Sequence, residues 1–223
     1  MSGIVGSKFN IRGSGLVGSL GTDGQHMLSS GAGVSNVFET VAAGADYVKL
    51  ESGTVSASSA TVVIGEGYIS TTYENYLVYL TNFVPSTDGA VRIRFNEGGA
   101  ALTGAEYEAF HGQGSAFSSG HVTEDTHDFD ATSARFCGDP ALGGGTTMGF
   151  CAQIWLPQLA QTSPAINAMF CATGRSGGIG ADTMRVFWGS GTYDATGAKS
   201  GITIIPNSGT LDTGEWVVYG LKS

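Results

Sequence analysis

The sequence predicts an all-β protein: a jelly-roll-like antiparallel β-sandwich preceded by an extended, glycine-rich N-terminal arm. Three observations carry that prediction. Glycine fills 36 of 223 positions, more than twice the roughly 7% of ordinary proteins, so tight turns are frequent. Apolar residues fall in short runs cut by Gly, Asn, Asp, Ser or Pro, at the spacing of strands. With 41% apolar and 10% aromatic residues the chain can still close a core, which excludes whole-chain disorder. No Gly-X-Y period runs through it, so collagen is excluded too.

Residues 1–45 form the predicted arm. Nine glycines stand between Met1 and Gly33. Single apolar residues lie among them, including Ile4, Val5, Phe9, Ile11, Leu16 and Val17. Neither a helical nor a two-residue period persists, and such a segment cannot close a core of its own. It reads as a docking arm whose apolar residues enter grooves on another protein.

Residues 46–223 form the predicted sandwich domain. Tyr47–Leu50, Thr61–Ile64 and Tyr68–Ile69 are the first strand candidates, the last two split by the turn Gly65-Glu66-Gly67. Asn75–Val84 is long, aromatic and β-branched, and it ends at Pro85. In Val91–Phe95 the apolar Val91, Ile93 and Phe95 alternate with Arg92 and Arg94, the pattern of a half-buried strand. The turn chemistry of Ser86–Gly89 predicts a hairpin joining these two runs. Further strands are expected at 106–110, 134–137, 148–156, 167–172, 184–188, 202–205 and 216–221. Glycine-rich loops are expected at 98–104, 112–120, 138–145 and 174–180.

Charge narrows the partners. The net charge is −9 with only 10 Lys and Arg, which opposes nucleic-acid binding, because phosphate affinity rests on basic side chains. No 18-residue apolar run is present, so no membrane insertion is expected. The N-terminus lacks the pattern of a secretory signal. Cys137, Cys151 and Cys171 are odd in number, and the last two lie inside apolar runs. They read as buried free thiols of a protein made in a reducing compartment.

Two familiar motifs occur, and the glycine content explains both. Gly13-Ser14-Gly15-Leu16-Val17-Gly18 fits a dinucleotide fingerprint but lacks the flanking strand and helix. Gly174-Arg175-Ser176-Gly177-Gly178 fits a nucleophile elbow, again without its strand–turn–helix setting. No cofactor is expected. The polar segment 121–130 is ordinarily a solvated acidic loop. If extended, it places His121, Asp125 and His127 on one face, where imidazole and carboxylate could hold a divalent ion. Trp155 and Trp216 lie in apolar runs and read as core. Trp188 and Tyr193, where a strand is expected to pass into a loop, are candidates for stacking on a glycan.

The run from Tyr73 to Gly89, with Tyr76, alternating apolar residues, Asn82, Pro85 and Asp88, resembles a segment of tailed-bacteriophage virion proteins. The C-terminal Met184–Trp188, Ser208-Gly209-Thr210 and Glu215–Lys222 are similar to the closing strands of those proteins. The opening Ser7–Gly15 and Gly21–Gln25 resemble the N-termini of marine-phage structural proteins. The resemblance implies a jelly-roll β-sandwich, commonly a homotrimer, carried on a virion assembled in the host cytoplasm. The function expected is that of a non-enzymatic virion structural protein, either head decoration or a short tail fibre or spike. Its arm would hold it to capsid or tail proteins. The alternative is a carbohydrate-binding receptor-recognition module of the adsorption apparatus, with a host surface glycan as partner. An enzyme acting on surface polysaccharide is a third reading, for which no residue pair is singled out.

Overall fold

The computed structural model describes residues 25–28, 37–40, 47–87, 89–117, 120–142, 149–162, 166–176 and 183–221. Among these there are strands and no helix. The chain divides into two units, Met1–Ala45 and Asp46–Ser223. In the first, β1 (Gln25–Leu28) pairs antiparallel with β2 (Val37–Thr40), with Gln25 opposite Thr40. This small ladder lies within the segment expected to be wholly extended. Ile4, Val5, Phe9, Ile11, Leu16 and Val17 lie outside the described residues.

The second unit is an antiparallel β-sandwich. Its strands are β3 (Tyr47–Thr54), β4 (Val62–Ile64), β5 (Asn75–Pro85), β6 (Gly89–Glu97), β7 (Ala100–Ala101), β8 (Tyr107–Phe117) and β9 (Gly120–Ala131). These are followed by β10 (Ala134–Leu142), β11 (Phe150–Pro157), β12 (Ile166–Ser176), β13 (Thr183–Tyr193), β14 (Gly201–Pro206) and β15 (Leu211–Leu221). The larger, eight-stranded sheet runs β3-β15-β5-β11-β12-β13-β8-β9. The smaller runs β10-β6-β14-β4, with β7 beside β6. The chain crosses repeatedly between the two sheets, the jelly-roll habit.

The predicted hairpin of Asn75–Val84 with Val91–Phe95 is not formed. β5 pairs with β11 and β15, whereas β6 pairs with β10 and β14. The Pro85–Gly89 connection instead carries the chain from one sheet to the other. Each run is apolar enough to need a packed face, and opposite sheets satisfy both. Alternation within β6 is as expected, with Val91, Ile93 and Phe95 buried and Arg92 and Arg94 half-buried.

The core lies between the sheets. Tyr76, Val78, Leu80 and Phe83 of β5 join Phe150, Ile154 and Leu156 of β11 and Phe170 of β12. Opposite them stand Ile93 and Phe95 of β6, Phe136 of β10, and Ile202 and Ile204 of β14. Phe136 bridges the layers, its ring edge-on to Phe150 and Phe170 at 5.8 Å from each. Burying a side chain of this size contributes about 1.5–3 kcal/mol. Tyr107 of β8 adds a polar tie. Its hydroxyl accepts the Phe95 N–H at 2.9 Å and donates to the Leu102 carbonyl at 3.1 Å.

Candidate functional site

The sandwich presents a site on the outer face of the larger sheet, where β13, β8 and β9 run side by side. Antiparallel register puts Trp188 opposite Gly112, Ser190 opposite Phe110, and Thr192 opposite Glu108. On the other side of β8, Phe110 stands opposite His127. Residues opposite one another share a face, so these side chains converge. Glycine at 112 is a spatial requirement, because a Cβ there would lie 2.7 Å from the Trp188 indole. The indole therefore lies flat over the β8 backbone and remains 42% exposed. Phe110 beside it is 50% exposed.

Glu108, Phe110, His127, Asp128, Ser190 and Thr192 line a shallow depression of about 340 Å³. Asp128 is already engaged. Its two oxygens meet Arg135 Nη2 at 3.3 Å and Arg92 Nη1 at 3.5 Å. The carboxylate left for a ligand is that of Glu108, flanked by an imidazole, two hydroxyls and the Phe110 ring. A ring of this kind can stack on the C–H face of a polyol, and such polar groups can take up its hydroxyls.

Tyr193 does not join Trp188. It is buried, with its ring 4.7 Å from Tyr107. The two residues are five apart on one continuous strand, so they point to opposite faces. The loop expected between them is strand, and its glycines permit close packing. A Cβ on Gly189 would lie 2.1 Å from the Phe110 carbonyl oxygen. The Tyr193 hydroxyl hydrogen-bonds Glu106, and this, with burial, pushes its pKa up to about 12.

The acidic segment expected as a loop is also strand. His121, Asp125 and His127 occupy alternate positions of β9, opposite Ala116, Gly112 and Phe110. In an extended strand one ion cannot reach both ends of this set. Six residues of strand separate His121 from His127 by about 20 Å. The His121 and Asp125 side chains lie outside those described. Among the described residues no group of three or more His, Cys, Asp or Glu side chains gathers.

Cys151 and Cys171 are free, as expected, but exposed and not buried. In β11 the buried positions are Phe150, Ala152, Ile154 and Leu156, which turns Cys151 outward. A continuous apolar run suggested burial on both faces, yet the outer face is bare. Trp155 and Trp216 are partly buried, and Trp216 packs against the core. Glu108 and Phe110 escaped the sequence reading. The signal was present in the alternation: with Tyr107 and Ala109 inward, both must point out.

Beyond this depression, the outer face from β5 to β13 carries Tyr79, Gln153, Trp155, Met169, Cys171 and Trp188. Among the described side chains it holds no charged group. β5 and β11 contain no charged residue at all, and Arg185 of β13 points inward and is buried. Comparison with protein-family models, with curated proteins and with solved structures gives no match.

Proposed function

We propose that this chain is a non-enzymatic bacteriophage virion structural protein, displayed on the particle as head decoration or as a short tail fibre or spike. Residues 1–45 anchor it to capsid or tail proteins, and the sandwich associates as a homotrimer. The observation that supports this reading is the outer face from β5 to β13, broad, aromatic and without a charged group among its described side chains, in a chain of net charge −9. Charge is depleted at the centre of association surfaces, where aromatic residues and Met are enriched. The virion setting rests on the resemblance of the 73–89 and C-terminal segments. Deleting residues 2–33 tests the anchoring. The truncated chain should fold with unchanged thermal unfolding and be missing from purified particles. Incorporation at full occupancy would remove the arm from the mechanism.

A second reading has its own observation, the exposed Phe110 beside Glu108 and His127, with the exposed Trp188 diagonal to Phe110 on the same face. In this reading the depression binds a host surface glycan. Trp188→Ala should then weaken binding to a host-derived polysaccharide at least tenfold while leaving folding intact. Equal binding by the variant would exclude this surface.

A further inference from the structure

We propose that Cys151 and Cys171 form a two-thiolate site for a soft, two-coordinate d10 cation of the Cu(I) class. The two residues sit on neighbouring strands, with Cys151 opposite Thr173 and Cys171 opposite Gln153. They are therefore diagonal neighbours on one face, one pleat repeat apart. Both are free and exposed. Both line one shallow depression of about 240 Å³, together with Tyr79, Thr81, Gln153 and Thr173.

Diagonal geometry selects the chemistry. Diagonal neighbours have Cα atoms about 7–8 Å apart, with the Cβ atoms somewhat closer. A disulfide needs Cα atoms nearer than about 7 Å, and usually 5.5–6 Å. A metal ion held by two thiolates at about 2.3 Å each spans about 4.6 Å between sulfurs. Two outward-pointing cysteines on a diagonal can present that gap by rotation of their side chains alone. Zinc asks for four ligands in a tetrahedron. The other polar groups lining this depression are the neutral Thr81, Gln153 and Thr173 and the phenol of Tyr79. The next soft donor is the Met169 thioether, which shares an adjoining depression with Cys171. Thiolate and thioether donors select Cu(I).

The backbone beside the pair is shaped to the sulfur. The β5–β11 register shifts between Phe150 and Ala152. There Asn82 takes φ +51° and its N–H donates to Cys151 Sγ at 3.5 Å. Such a donor fixes a ligating atom in place. In binding, two S–H bonds break, two S–metal bonds form and two protons leave to water. Neither sulfur nor metal changes oxidation state.

Hg(II), a d10 ion of the same preference, is the probe, added to the full, reduced chain. Each ion should remove two thiols from reaction with Ellman's reagent, and native mass spectrometry should show as many ions as chains, three in a trimer. Cys151→Ser and Cys171→Ser should each lower at least tenfold the glutathione concentration that strips half the ion. Cys137→Ser should leave it unchanged. Cu(I) should compete with Hg(II) for the same pair. The proposal is overturned by one thiol lost per ion, by an ion joining two chains, by dependence on Cys137 or by failure of Cu(I) to compete. Thiol counting in the unsubstituted chain reads the site even if a variant misfolds. Titrating the isolated chain reads it separately from assembly.

Discussion

Lys199 is fully buried, with its ammonium 2.8 Å from Glu97 Oε2 and 5.5 Å from the centre of the Tyr193 ring. Glu97 is about half exposed, so the two partners are not equivalent. Glu97→Ala strands a buried cation and should cost about 2 kcal/mol in urea unfolding, less than a fully buried pair because water reaches the Glu97 end. Lys199→Met fills the same space and returns Glu97 to water, so it should cost under about 1.5 kcal/mol. The reverse order would mean that the cation–π contact, not the carboxylate, holds the ammonium. Beneath it, Tyr193 is pushed up to about 12 by its hydrogen bond to Glu106 and by burial. Burial raises Tyr107 as well. Unfolded tyrosine ionises near 10. The stability from both phenols is therefore complete below about pH 10 and falls as pH rises through about 10 to 12. Urea midpoints from pH 8.5 to 11 should show that fall, and Tyr193→Phe should flatten part of it. A midpoint constant across this range would refute the assignment.

β9 ends the larger sheet and has a ladder partner on one side only, β8. Asp128 ties it further, reaching across to Arg92 of β6 and Arg135 of β10 in the smaller sheet. Asp128→Ala should lower stability by about 1–2 kcal/mol. It should also speed amide exchange in β9 more than in β11, which is paired on both sides. Equal acceleration in both strands would show that the tie is global. The same elements show what sequence can and cannot disclose. The alternation of Val91, Ile93 and Phe95 with Arg92 and Arg94 is local, and it placed β6 and its buried face correctly. Which sheet receives β6 depends on contacts with β10 and β14, far away along the chain, so the hairpin with β5 was misread. The glycine-rich stretches at 112–117 and 189–192 looked like loops because glycine usually marks turns. Here Gly112 and Gly189 admit the Trp188 ring and the Phe110 carbonyl, requirements set by neighbouring strands. The exposure of Trp188 was legible because it sits at the end of an apolar run. Tyr193 was misplaced because its face depends on whether residues 189–192 remain extended.

Over the whole molecule, apolar side chains serve two separate purposes. One set, from Val62 to Val218, fills the space between the sheets. The other stands outside the larger sheet, where Leu77 is buried opposite Trp155 and Tyr219, and Tyr79 and Tyr47 meet Tyr219 edge-on. The second set adds little to closing the core, and the proposed function assigns it to association. In the proposed assembly the chain's net charge of −9 opposes contact between copies, and this face, with no charged group among its described side chains, opposes it least. Met169 lies within it and is half exposed, so Met169→Glu should alter folding stability by less than about 0.5 kcal/mol. A carboxylate placed there must be desolvated on contact and, in a symmetric assembly, faces a like charge. Native mass spectrometry at micromolar concentration should show trimers for the unsubstituted chain and monomers for Met169→Glu. Deleting residues 2–33 should leave the trimer intact and abolish only attachment to the particle. Trimers that survive Met169→Glu but not the deletion would reverse these roles, with the arm making the oligomer and the sheet face free for another partner.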